Sequence, residues 1–290
     1  FQQVLMNDRL DLMHFTYFSY PVLYRRPFIA TVHDLTPLLF KTGKASTLPA
    51  FMYELKHSIF SFILKQQVQR AKAIITPTEA VKRQLEQIYG STYSHKIMAL
   101  YEGVNHEFFK AEENKALAKH FSRPFFLYVG NFYPHKNVDR LVQAFSQMNR
   151  EDIDLVLAGP DNYFSGKLEK IIEGQRLTNI HMYHPSRPED LLFLYKNSLA
   201  LVNPSLSEGF GLPVVEAAYC GTPVIASDID VFREILGNNY YAFNPSQTES
   251  IQEVLLHFLQ DTHKKKPVLD SKYSFERMVT QYLQLLNKTA

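Results

Sequence analysis

Cysteine is almost missing from this chain: Cys220 is the one thiol in 290 residues, so no intrachain disulfide can form. That excludes the small disulfide-stapled scaffolds and fits a reducing compartment. An excess of one charge is lacking too. With 31 Lys and Arg against 29 Asp and Glu, the net charge of +2 gives no electrostatic footprint for nucleic acid, and no nucleic-acid partner is expected. No apolar run approaches the roughly 18 residues of a membrane-spanning helix. The opening FQQVLMNDRLDLMHF has neither the basic start nor the apolar centre of a secretory signal, so a soluble chain is expected. Low-complexity tracts and fixed-period repeats are absent as well.

What is present is an ordinary globular composition, 46% hydrophobic and 21% charged, at a length that predicts about two domains without a metal or disulfide staple. Short β-branched runs at 28–33, 73–77 and 97–101 read as buried strands. A long stretch, Leu48 to Arg70, with no Gly or Pro after Pro49, and a second from Glu79 to Tyr89 read as helices. Thr78 is placed to cap the second and Gly90 to end it. The polar, Lys-rich segment from Asn105 to Pro124 reads as a linker. Beyond it the alternation is clearer. Strands are expected at 125–130, 154–159, 179–183, 199–204 and 223–227, and helices at 138–148, 165–175, 188–198 and 213–220. Such alternation predicts βαβ units and a doubly wound α/β fold.

Ligands of such sheets bind beyond the carboxyl ends of the strands. Three loops there are unusual. VHD places His33 and Asp34 just past a strand, and GNFYPHKN carries Gly130, Asn131 and Lys136 ahead of a helix. SEGFGLPVVE, at 207–216, is the strongest signal. Gly209 and Gly211 allow close backbone approach, and Pro213 suits a first helical turn whose free amides favour a phosphate. Glu208 in the loop and Glu216 in or near the first turn can each accept from a vicinal diol, one of a sugar and one of a ribose. Lys136 would add a point charge for a diphosphate.

The segment from Glu208 to Glu216, E-GFGLPVV-E, resembles the E-x7-E signature of retaining GT-B glycosyltransferases of family four. YVGNFYPHKNVDRLVQAF, the stretch from LYKNSLALVNPS to FREILG, and YYAFNP are similar in order and spacing to that family's nucleotide-binding domain. VHDLTPLL is similar to its loop with an active-site histidine. The resemblance implies two Rossmann-like domains: residues 1–110 on the acceptor side, 111–272 for the nucleotide sugar, and a helix at 273–290 crossing back. It implies closure around the donor, with hinges near 105–124 and before Tyr273. It also implies that a strand and Gly-rich loop normally precede VHDL, so the first domain is expected to be incomplete and the chain N-terminally truncated.

Carried over, the resemblance assigns His33 and Glu208 to catalysis at the donor sugar and Glu216 to the ribose. Gly130, Asn131, Gly209, Phe210, Gly211 and Leu212 line the donor, and Lys136 neutralises the leaving diphosphate. Asn131 departs from the arginine that many relatives carry there. The implied activity is metal-independent hexosyl transfer, mannosyl or glucosyl, with retention of anomeric configuration. The donor is a UDP or GDP sugar as co-substrate and no cofactor is implied. The acceptor is a glycan or lipid-linked molecule, reached in the cytoplasm or by peripheral association with the inner membrane face. No D-x-D motif or Cys/His cluster argues for a metal. The alternatives are a non-catalytic nucleotide-sugar-binding subunit and a GT-B sugar-nucleotide epimerase. A dinucleotide-dependent oxidoreductase fails because no G-x-G-x-x-G follows a strand.

Plainer readings stand beside these. Glu216 could serve the helix dipole, Lys136 could be a solvated helix-start residue, and His33 could satisfy a strand end. His14, His181 and His184 read as structural, Asp34 as a turn or cap group, Cys220 as packing, Lys264 to Lys266 as a solvated loop, and Arg25 and Arg26 as surface.

Overall fold

The structure is a computed structural model and describes residues 2–7, 10–18, 20–40, 50–104 and 106–289. Along the chain, helix α1 (Gln2–Asn7), strands β1 (Met13–Phe15) and β2 (Phe28–Thr31), helices α2 (Thr36–Leu39) and α3 (Ala50–Arg70), strand β3 (Ala73–Thr76), helix α4 (Glu79–Tyr89) and strand β4 (Ile97–Ala99) come first. There follow α5 (His106–Lys110), β5 (Phe125–Val129), α6 (Val138–Ser146), β6 (Asp154–Ala158), α7 (Tyr163–Gly174), β7 (Ile180–Tyr183), α8 (Pro188–Asn197) and β8 (Ala200–Asn203). The last elements are α9 (Leu212–Tyr219), β9 (Val224–Ser227), α10 (Asp230–Leu236), β10 (Tyr241–Phe243), α11 (Thr248–Gln260) and α12 (Phe275–Thr289). They form two compact units. Unit 1 holds residues 1–103, 208–210 and 272–290, and unit 2 holds 104–207 and 211–271.

Unit 1 is a parallel sheet in the order β1-β2-β3-β4. β2 is buried along its whole length because its alternate residues meet two cores. Phe28 and Ala30 join Tyr24, Leu64 and Val68 on one face, where α3 packs. Ile29 joins Ile75, Leu100, Met278 and Tyr282 on the other, where α12 lies. This is why FIAT reads as a continuous apolar run and not as an alternating one. Thr78 caps α4, its hydroxyl accepting from Val81 N at 3.2 Å, and Gly90 follows the last helical residue at φ 97°.

Unit 2 is a six-stranded parallel sheet in the order β10-β9-β8-β5-β6-β7. Read from the far edge this is the 3-2-1-4-5-6 order of a doubly wound dinucleotide fold, and the winding reverses between β5 and β8. The loops after those two strands therefore diverge, and a crevice at their carboxyl ends is the expected ligand position. Two parallel sheets with helices make the chain α/β, as expected.

All eight expected strands are found, each one or two residues shorter than its apolar run, since the run continues into the loop. The strands β1 and β10 carried no signal: each has three residues, and β1 has a polar histidine at its centre. The helix read from Leu48 begins at Ala50 among the described residues, and 48 and 49 lie outside them. Helix α7 starts at Tyr163, two residues early, because Asn162 and Ser165 form a reciprocal capping box.

The stretch 105–124 is not a free polar linker. Asn105 lies outside the described residues, but Asn114 Nδ2 donates to Asp190 Oδ1 at 2.8 Å and Asn114 N to Glu189 O at 3.1 Å. The Phe109 ring stacks on Tyr219 at 5.1 Å. Aromatic and amide anchors dock a segment whose composition alone suggested solvation. Lys264 is likewise no solvated loop residue: its ammonium donates to the Phe258 carbonyl and sits 3.9 Å from the Phe258 ring centroid, closing the end of α11.

Candidate active site

In unit 2 the loop after β5 begins at Gly130, whose N–H donates to Ala158 O at 3.0 Å, extending the β5–β6 pairing by one bond. Asn131 follows. Its carbonyl accepts from the Tyr128 hydroxyl and its Oδ1 from Tyr133 N at 3.4 Å, so it shapes the turn. Lys136 ends a single helical turn, Pro134–Lys136, and Asn137 then takes the left-handed conformation at φ 59°. Asn tolerates that region better than most residues, which is why the chain can reverse here and start α6. The Asn137 amide donates to Pro204 O at 3.0 Å and to Pro245 O at 2.8 Å. Leu206 N donates to His135 O at 2.8 Å. The loop after β5 and the loop after β8 are thus tied together, and Lys136 is carried on the tie.

Gly211 precedes α9 at φ 87°, and a Cβ there would stand 2.7 Å from the Phe232 ring, so both backbone and space demand glycine. Leu212 is the first helical residue and Pro213, which has no N–H, the second, while Val214 N donates to the Gly211 carbonyl at 2.9 Å and Val215 N at 3.4 Å. Glu216 lies beyond that first turn, which holds no acid. The helix-dipole reading of Glu216 is therefore corrected. Its side chain is half-buried and Oε2 accepts from the Tyr195 hydroxyl at 2.7 Å. Burial raises its pKa, and the Tyr195 hydrogen bond opposes the rise. Tyr195, fully enclosed on α8, has its own pKa raised by burial and by the Glu216 charge. The pair fixes the carboxylate on the helix face that carries it.

In unit 1, residues 208–210 pack on the loop after β2. Thr78 Oγ1 donates to Gly209 O at 3.0 Å, and the Gly209 α-carbon lies against the His33 carbonyl, leaving no room for a Cβ. Phe210 is buried with its ring 5.9 Å from Tyr273. Glu208 and His33 are so brought to one part of unit 1. Asp34 is a turn former, its Oδ1 accepting from Thr36 N at 2.8 Å. His33 is half-buried, and its two ring nitrogens face the Glu102 carboxylate and the Thr16 carbonyl.

Residues 109–272 match the family described as glycosyl transferases group 1, more than half of the chain. The chain belongs to that family. Residues 1–108 match glycosyltransferase family 4. Among relatives of this glycosyltransferase, O-antigen chain mannosyltransferase RfbU of Salmonella typhimurium is 29% identical over 256 residues, 86% of this chain and 70% of that protein. O-antigen chain mannosyltransferase B of Escherichia coli is 34% identical over 139 residues, 47% of this chain and 36% of that protein. The structure of sucrose-phosphate synthase from Thermosynechococcus elongatus superposes with a TM-score of 0.78 over 99% of this chain and 76% of that one, at 18% identity, a likeness of fold.

Three residues around these candidates had escaped the sequence reading. Asn137 had a signal, since an Asn between a turn and a helix commonly reverses the chain. Tyr195 and Glu102 had none, because each meets its partner only through the fold. Cys220 is a half-buried free thiol with its pKa pushed up to about 11 by burial, an inert packing residue. His184 bonds the Gly159 carbonyl at 2.8 Å and His181 stands 3.4 Å from Asp154, both structural as read. His14 is different: it lines a cavity, described below. Among the described residues no three His, Cys, Asp or Glu side chains are grouped to hold a metal ion, and no helix is long and apolar enough to cross a membrane.

Proposed function

We propose that this glycosyltransferase moves a hexose, mannose by its relatives, from a nucleoside-diphosphate sugar to a glycan or lipid-linked acceptor, with retention and without a metal. One observation supports the reading: Asn137 and Leu206 tie the loop after β5, which carries Lys136, to the loop after β8, which leads into α9, where the strand order of the unit 2 sheet reverses. Lys136 and the Leu212 N–H at the start of α9 receive the diphosphate. Glu216, oriented by Tyr195, accepts from the ribose diol, and Glu208 accepts from the hydroxyls of the sugar. Gly130, Asn131, Gly209, Phe210, Gly211 and Leu212 offer backbone to the donor, and His33 meets its sugar. In the transfer step the bond from the anomeric carbon to the diphosphate oxygen breaks. The acceptor oxygen bonds on the same face, and its proton passes to the departing phosphate. No protein base is required.

Peripheral attachment to a lipid surface bearing the acceptor is supported by α3. Phe51, Leu55, Ile59 and Phe62 fall on its outer face and are each half or more exposed.

The test is calorimetric titration of UDP, GDP and their mannose and glucose conjugates into the chain, followed by product analysis. Glu216→Gln keeps the acceptor for Tyr195 but removes the charge, and is expected to weaken donor binding roughly ten-fold or more. Unchanged affinity in that variant would remove Glu216 from the donor site.

A further inference from the structure

A cavity of about 360 Å³ opens in unit 1 at the carboxyl ends of its strands, lined among others by His14, Thr31, His33, Glu102, Met278 and Tyr282. Its two histidines are held in opposite ways. His33 Nδ1 lies 3.1 Å from Glu102 Oε1 and Nε2 lies 2.9 Å from Thr16 O. A carboxylate and a carbonyl only accept, so both contacts are satisfied together when each ring nitrogen carries a hydrogen. His14 Nδ1 lies 2.7 Å from the Tyr282 hydroxyl and Nε2 2.8 Å from the Thr31 hydroxyl. Hydroxyls both donate and accept, which suits a neutral ring with one donor and one acceptor nitrogen.

The electrostatics agree with the geometry. The hydrogen bond to Glu102 raises the His33 pKa above the ordinary histidine value against the effect of burial, with its charge, the Thr16 carbonyl and Asp34 adding to the rise. Burial, and then the charge of His33, lowers that of His14. The titratable groups facing His33 are Glu102 after β4, Asp34 on its own loop, and His14 on β1. Tyr282 of α12 lines the same cavity, and Glu208 precedes the Gly209 that packs on the His33 carbonyl.

We propose that Glu102 is a positioning residue that holds His33 as a fixed imidazolium, so that His33 brings a positive charge to the transfer reaction and cannot take a proton from the acceptor. The charge assignment stands on unit 1 alone, and its use in transfer rests on the function proposed above. With both N–H groups occupied, the ring has no lone pair to offer. What it supplies is a pinned positive field, of the kind that stabilises negative charge developing on a leaving diphosphate.

The test has two readouts on the full chain. Nitrogen-15 imidazole shifts across a pH series, with His33→Gln to identify the signal, report the protonation of each ring nitrogen. Both His33 nitrogens are expected to be protonated at neutral pH, and Glu102→Gln is expected to lower the midpoint by roughly one to two pH units. The second readout is the pH profile of kcat. Its alkaline limb is expected to move down with the His33 midpoint in Glu102→Gln, while KM for the donor at acid pH, where the ring is charged in both proteins, stays the same. A neutral His33 in the wild type, or a midpoint unmoved by Glu102→Gln, overturns the charge assignment, and the wild-type spectrum decides even if the variant does not fold. A rate that climbs with pH through the His33 midpoint overturns the role by showing a base. Absence of transfer by a wild-type chain with the expected spectra overturns the proposed function and supports the ring assignment.

Discussion

Lys136→Ala is expected to lower the transfer rate about 10²- to 10³-fold, the scale seen when one preorganised group facing developing charge is removed. The size of the effect comes from how the lysine is held. A free surface lysine would lose rotamer entropy on meeting a phosphate, but here the backbone beneath it is already reversed at Asn137 and tied to the loop after β8 by the amide of Asn137 and by Leu206 N. The charge is therefore delivered without loop ordering, and no guanidinium stands at position 131 to share the work. Titration of nucleoside diphosphate against nucleoside monophosphate into both proteins checks the assignment. The variant should lose more affinity for the diphosphate than for the monophosphate. Equal losses would mean that Lys136 acts on the fold of the loop, and no loss would leave it a solvated helix-start residue.

Gly209→Ala is expected to reduce transfer by about 10²-fold or more while leaving a folded chain, since displacement of a catalytic loop by about 1 Å can cost that much. A methyl group at 209 would overlap the His33 carbonyl oxygen and come within 3.3 Å of the Asp34 Cβ. Neither neighbour can step aside easily. The turn at 33–36 is braced by Asp34 accepting from Thr36 N and by Val32 N donating to Ile75 O at 2.9 Å. The loop 208–210 must lift instead, breaking the Thr78 hydrogen bond to Gly209 O and carrying Glu208 away from His33. Overpacking of this kind typically destabilises by roughly 1–3 kcal/mol. Urea unfolding and steady-state transfer, measured on the same preparation, separate the two effects. Wild-type turnover in the alanine variant would show that Glu208 does not depend on this close approach.

Much of the architecture was readable because parallel strands buried on both faces appear as continuous apolar runs. Phe28 to Thr31, Phe125 to Val129 and Val224 to Ser227 are of this kind. Helix ends were readable where a side chain does the capping locally, as at Thr78. The readings failed where the deciding contact is distant. The segment after Asn105 is polar in composition yet docked by Asn114 and Phe109, and Lys264 after α11 is drawn in by the Phe258 ring and carbonyl. Glu216 was read in or near the first turn of a helix expected from Pro213; the helix starts one residue earlier, at Leu212 behind the left-handed Gly211, which makes Glu216 its fifth residue.

The sequence by itself determined the alternation of strands and helices, and it determined that Lys136 and Glu208 lie in segments after strands and Glu216 in the helix that follows, because periodicity and spacing are local properties of the chain. Only the tertiary structure decided the strand order that puts the loops after β5 and β8 at the reversal point, and the partners that set the chemistry of the side chains. Glu102 meets His33 across 69 residues and Tyr195 meets Glu216 across 21. The protonation of a group follows from the acceptors and the burial around it, and those exist only once the sheet has brought distant strand ends together.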